Sequence, residues 1–260
     1  MINYSFTYSD LIYFLLIFVR ISCCVFVVPF FSMNMVPARL RAGLSFFISI
    51  LMYFVLSPHE TIVYNTILGY SVLVLKEAVT GFLIGFGVNL CTSILSFAGH
   101  VVDMEVGLSM ATMYDPATRQ NVTLTGVLYQ YTIMLMLIVS GMYEYIIKAL
   151  AETFTLIPIT GAVLRSDRLV ASLVMFLTDY ITIGLRICMP VFVVIMILDA
   201  VLGIMAKVSP QLNMFAVGIQ LKLLVGLAVL FFTAAMLPKA SDMIFTEIKR
   251  MVVSFVEGMM

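Results

Sequence analysis

Charge is what this sequence has least of. Only 11% of its 260 residues are Asp, Glu, Lys or Arg, against about 25% in a typical soluble domain. Hydrophobic residues make up 63% of the chain and the mean hydropathy is +1.14. A water-soluble core of this size cannot hide so much apolar surface, so the surplus must face lipid or other apolar subunits. The net charge is zero, which removes the electrostatic case for nucleic acid as a partner. Histidine is nearly absent, with only His59 and His100. The four cysteines, Cys23, Cys24, Cys91 and Cys188, form no CxxC and sit in apolar runs. They read as small buried hydrophobes, and no metal site is expected.

Catalytic signatures are missing too. There is no HExxH, no P-loop and no glycine-rich dinucleotide motif. Gly107-Leu108-Ser109-Met110-Ala111 has the GxSx start seen in intramembrane serine proteases, but with only two histidines in the chain it lacks a triad to activate the serine. No catalytic residue and no cofactor is assigned. Asn121-Val122-Thr123 matches a glycosylation sequon by pattern alone. Met1 to Asp10 contain no Lys or Arg, so the basic n-region of a cleaved signal peptide is lacking and the first apolar segment is expected to stay. Neither a 20–50 residue repeat nor a low-complexity linker is present.

What is there is a series of apolar runs. A spanning helix needs about 20 mostly apolar residues. Six regions qualify or nearly so: Leu11 to Phe31, Leu44 to Leu56, Ile62 to Val102, Leu124 to Leu150, Leu169 to Met205, and Phe215 to Leu237. The expected fold is therefore all-α, an integral membrane arrangement of helical hairpins. The third and fifth segments are too long for one straight span, so bent, surface or re-entrant pieces are expected. Ser57-Pro58-His59-Glu60 reads as a capping box that starts a helix. Asp115-Pro116 offers the same N-cap and proline pairing, and Ser209-Pro210 should break the chain before the sixth segment. Arg39 and Arg41 favour a cytoplasmic first loop, which places the N-terminus outside. Arg165 and Arg168 do not fit the alternation that follows.

Residues 1–238 are read as one membrane domain and 239–260 as an amphipathic tail. In that tail Ile244, Ile248, Met251, Val252, Phe255 and Met259 repeat at helical spacing, with charged residues mostly on the other face. A membrane surface, a partner or the chain's own bundle would each suit it. Gly81 and Gly85 form a GxxxG, whose small residues let helix backbones approach closely.

The informative residues are the ionisable groups inside apolar runs: Arg20, Lys76, Glu77, Asp179, Arg186, Asp199, Lys207 and Lys222. A charge at the bilayer centre costs about 3 kcal/mol on insertion scales. Each should therefore find a partner, find water, or lie away from the hydrocarbon centre. Asp179 and Arg186 are seven apart, two turns along one face. Such residues line the path in a small secondary transporter, or pair across helices and subunits in an assembly.

The block Pro210-Gln211-Leu212-Asn213-Met214-Phe215, followed by Gly218 and Lys222, resembles a hallmark of the FliR family, export-gate subunits of flagellar type III secretion. Asp199-Ala200-Val201-Leu202-Gly203, Lys207, Ala98-Gly99, Asp103, Gly107-Leu108-Ser109, Asp115-Pro116, Arg20, Pro29-Phe30, Pro37 and Arg41 continue the match in order. The injectisome homologues share much of this pattern, and Pro210 and Gly218 favour the flagellar branch. Departures are Met214, where valine is usual, and Gln220. The resemblance implies a subunit of the bacterial inner membrane and flagellar basal body that performs no bond chemistry itself. It implies assembly with FliP-like and FliQ-like subunits, with FlhB-like and FlhA-like export components nearby, and passage of unfolded flagellar proteins. It also implies that much of the assembly stands above the normal bilayer plane. Finally, it implies that the loop from Asp103 to Asn121 helps close the pore. Its plug residues would be Met104, Gly107, Met110, Met113, Asp115 and Pro116, because thioether side chains are flexible enough to seal a channel and yield.

Overall fold

The computed structural model describes residues 8–32, 36–56, 66–111, 113–115, 120–159, 161–209 and 214–260. The chain is an all-α membrane protein. Its helices are α1 (Tyr8–Val27), the single turn α2 (Pro29–Ser32), α3 (Ala38–Val55), α4 (Ile67–Val106), α5 (Leu124–Val139), α6 (Met142–Leu156), α7 (Ser166–Val208), α8 (Met214–Thr233) and α9 (Leu237–Gly258). Five of these stretches are long and apolar enough to cross a membrane, or six if α5 and α6 form one interrupted span. The interruption falls at Ser140 and Gly141, where Gly141 takes a left-handed φ of +78° at no steric cost.

The two long segments do not break into a span plus a separate piece. α4 is one continuous helix of 40 residues and α7 one of 43. At 1.5 Å per residue each is roughly 60–65 Å long, twice the ~30 Å hydrocarbon core. Neither can lie wholly in lipid. α7 stays continuous through Pro190, as proline is tolerated in membrane helices whose surroundings accommodate it.

Three boundaries differ from the sequence expectation. α3 begins at Ala38, so Arg39 and Arg41 lie in its first turn and not in a loop. Arg41 is folded back, donating from Nε and Nη2 to the Val36 carbonyl at 3.2 and 3.0 Å. α4 runs four residues past Val102, because charge at Asp103 and Glu105 does not stop a helix; the left-handed Gly107, at φ +89°, does. Asp115 does not start a helix. It ends a short strand, and the next helix starts at Leu124. The expected capping box at Ser57 to Glu60 lies outside the described residues, as does Pro210. α7 ends at Val208 and α8 opens at Met214, one residue before the expected Phe215.

The contacts divide the chain into two compact units. The first comprises residues within Met1–Leu90, Gly141–Met175 and Glu247–Met260. Its buried residues include Leu16, Ile17, Ile21 and Cys24 of α1, Ile84 and Val88 of α4, Ile146 and Leu150 of α6, and Phe255 of α9, all fully or almost fully buried. Aromatic edges join α1 to α3: Tyr13 meets Tyr53 at 6.5 Å and Phe14 meets Phe46 at 5.6 Å between ring centroids. The second unit comprises Cys91–Ser140 and Phe176–Thr246. Its core is Ala98, Val102 and Val106 of α4, Tyr129 of α5, and Cys188, Val191 and Ile195 of α7.

The C-terminal helix buries the face that its repeat marks out. Ile244, Ile248, Met251, Val252, Phe255 and Met259 are all buried against the chain itself. Within the first unit the Phe255 ring sits over Gly87, where a Cβ would stand 3.1 Å from it. The end of the chain is tied down by backbone bonds from Val163 to Met259 and from Arg165 to Gly258, at 3.0 and 3.1 Å. In contrast, α3, α7 and α8 leave large apolar side chains open, among them Phe47, Ile197, Leu224 and Phe231.

Candidate gate loop and buried ion pair

Arg20 lies in the middle of α1 with its side chain fully buried, so its charge must be met inside the protein. Glu77 of α4, also fully buried, accepts from Arg20 Nε at 2.6 Å. Nη1 donates to the carbonyls of Thr153 and Ile157 at 3.1 and 3.0 Å, so the guanidinium also caps the C-terminal end of α6. The ring of Phe154 lies 4.4 Å from Cζ, a cation–π contact that strengthens when desolvated. One side chain thus joins three helices of the first unit.

Two glycines make that junction possible. Gly81 is one helical turn beyond Glu77, and a Cβ built on it would overlap the carbonyl oxygen of Arg20. At Gly85 a Cβ would stand 2.8 Å from the Cys24 carbonyl oxygen. α1 and α4 therefore touch backbone to backbone, as small residues at this spacing allow, and the short distance lets Glu77 reach Arg20 across the seam.

The second unit holds the loop between α4 and α5. After Gly107 come a 3-10 turn, Leu108–Ala111, and a hairpin of Met113–Asp115 with Gln120–Val122, in which Met113 pairs with Val122 and Asp115 with Gln120. The base of the loop is closed twice. Asp103, fully buried near the end of α4, accepts the Thr125 backbone N–H through Oδ2 at 3.0 Å. It thereby satisfies one of the open N–H groups in the first turn of α5, where carboxylates are favoured by the helix dipole. Beside it, a Cβ on Gly99 would overlap Gly126, so α4 and α5 also meet backbone to backbone. Gly99 and Asp103 stand in the sequence only as parts of the family pattern, with no role in the loop base, and Gly126 carries no sequence signal.

Of the expected plug residues, Met104 belongs to α4 rather than to the loop and is well exposed. Gly107 forms the left-handed stop, Met110 lies in the 3-10 turn, and Met113 and Asp115 lie in the first strand. Pro116 is outside the described residues, as are Gln211, Leu212 and Asn213. Phe215 lies in the first turn of α8.

The remaining charges fall into separate places. Lys222 of α8 pairs with Asp199 of α7 at 2.8 Å in the second unit, both side chains partly exposed. Lys76 is half-buried next to Glu77, and Asp179 is half-buried on α7. Arg186 is exposed two turns further on, beside a cavity described below. Lys207 lies in the last turn of α7, where a cation suits the helix C-terminus.

The family model for bacterial export proteins, family 1, matches residues 11–248. The chain belongs to that family. Among its relatives, the flagellar biosynthetic protein FliR of Aquifex aeolicus (strain VF5) is 29% identical over 225 residues, covering 86% of this chain and 85% of the relative. The flagellar biosynthetic protein FliR of Bacillus subtilis (strain 168) is 27% identical over 220 residues, 84% of each. That of Escherichia coli (strain K12) is 24% identical over 233 residues, 88% of this chain and 87% of the relative. The match takes in both the Arg20–Glu77 junction and the Asp103 loop base of this bacterial export protein.

Proposed function

We propose that this export-family protein is the FliR-type subunit of the flagellar type III export gate, part of the flagellar export apparatus. What carries the reading is the family match over residues 11–248, with flagellar relatives aligned over most of both chains. In this reading the chain lies in the bacterial inner membrane, in the flagellar basal body, and assembles with FliP-like and FliQ-like subunits, close to FlhB-like and FlhA-like components. Two features support assembly. The 40- and 43-residue helices outrun a bilayer. The apolar faces of α3, α7 and α8 also need a cover along lengths that lipid cannot supply.

The segment from Gly107 to Val122 acts as the gate. Its base is fixed by Asp103 and by the Gly99–Gly126 contact. Unfolded flagellar proteins pass when that segment is displaced. The test is deletion of Gly107 to Met113 in cells carrying the whole export apparatus. Increased leakage of ions or small molecules, with normal recovery of the complex, supports the gate. Unchanged permeability in the assembled complex removes the gating role. Co-purification with the two other small hydrophobic subunits tests the assembly itself, and a chain that stays a stable monomer beside them refutes it.

A further inference from the structure

The second unit contains a cavity of about 230 Å³ between α5, α7 and the start of α9, which none of the roles above uses. Its wall combines apolar side chains such as Met243 with two cations, Arg186 of α7 and Lys239 of α9, and two hydroxyl residues, Tyr129 and Thr233. Both cations are exposed, whereas Tyr129 is buried. Pro190 lies on the same wall. Having no N–H, it leaves the Arg186 carbonyl without its regular helical donor. The site thus offers two positive charges beside a Tyr129–Thr233 hydroxyl pair, around an apolar interior. An amphiphile with an anionic, hydroxyl-bearing head and a hydrocarbon tail satisfies all of these.

The place in the fold fits the same ligand. α8 is the most apolar helix of the chain, and it gives way at the short turn Ala234–Met236 to the amphipathic α9. Thr233 and Lys239 flank that turn, where the apolar helix gives way to one with a charged face. Cations between helices at the end of an apolar segment suit anionic lipid heads. We propose that this cavity binds one anionic glycerophospholipid, its phosphate between Arg186 and Lys239 and the start of an acyl chain against Met243. The inference requires a membrane location and is independent of the gate role.

The test uses the full chain, delipidated in detergent and then given dioleoylphosphatidylglycerol or dioleoylphosphatidylcholine, with bound lipid counted by native mass spectrometry. The wild type should retain the glycerol lipid over the choline lipid. Loss of each cation should weaken retention about fivefold, and the double variant R186Q/K239Q about thirtyfold. R186K/K239R should keep binding, and Ala240→Leu, which fills the cavity wall without changing charge, should lower it. A photoactivatable phosphatidylglycerol on the wild type should label peptides containing residues 233–243, a readout that does not depend on any variant folding. Equal retention of the two lipids, unchanged binding by R186Q/K239Q, or an equal loss in the distant control R165Q/R168Q overturns the proposal. Labelling spread evenly over the apolar helices overturns it as well.

Discussion

Replacing Glu77 with leucine should be among the most damaging single changes in the chain. Arg20 and Glu77 are both fully buried, with Nε and Oε2 2.6 Å apart. Removing one partner leaves a buried, uncompensated charge, which costs about 3–5 kcal/mol. Arg20 would retain the Thr153 and Ile157 carbonyls and the Phe154 ring, so the lower half of that range is expected. The double variant R20M/E77L removes both charges, and such replacements are often neutral or better. Here it also leaves the end of α6 without its guanidinium cap, at a cost of about 1–3 kcal/mol for a buried acceptor left unpaired. The double variant should therefore be no worse than E77L alone, and well short of the sum of R20M and E77L. Arg20→Lys should not rescue, since a single ammonium cannot span the carboxylate and the two carbonyls as the planar fork does. Denaturant unfolding of the four proteins in mild detergent, followed by circular dichroism, gives the coupling. Additive losses, or a double variant clearly less stable than E77L, would refute the reasoning.

Gly81→Ala puts a methyl group on the Arg20 carbonyl, and because backbone cannot swing away it should cost about 1–3 kcal/mol or more, read as a lower unfolding midpoint. Asp103→Ala should destabilise the loop base by about 0.5–2 kcal/mol and raise leakage, while Asp103→Asn, which keeps an acceptor for the Thr125 N–H, should leave both near wild type; identical behaviour of the two variants would exclude the capping role. Phe255→Ala empties a fully buried site over Gly87 and should cost about 3–5 kcal/mol, visible as faster proteolysis of the C-terminal helix. Reversing the partly exposed pair singly, as D199K or K222D, should reduce the yield of the complex, and the double reversal should restore it; the pair itself contributes about 1 kcal/mol or less.

The all-helical membrane architecture was legible in the sequence, because composition and the lengths of apolar runs are summed properties that tertiary contacts do not alter. Residue-level relations were not. Arg20 was visibly anomalous in an apolar run, yet its two carbonyl acceptors lie 133 and 137 residues away. The spacing of Gly81 and Gly85 carries no information on which backbone they meet. Asp103 caps α5 through Thr125, 22 positions further along the chain, while capping rules look only a few residues ahead, so Asp115 was read as the cap instead. The strands Met-Tyr-Asp and Gln-Asn-Val are three residues each, and Asp115 and Asn121 offset the strand preference of Tyr114 and Val122. For the tail, amphipathicity names the buried face but cannot tell a bilayer from the rest of the chain; the Phe255 ring on Gly87 decides that.

The length of α7 carries a consequence for the cell. α7, longer than lipid can cover and open along much of its apolar length, makes the solitary chain an orphan whose surface resembles that of a misfolded protein. Its lifetime should then follow the supply of covering subunits, so that synthesis in excess is answered by degradation. Membrane proteases would thereby remove the surplus, and the number of finished complexes would be limited by the scarcest chain.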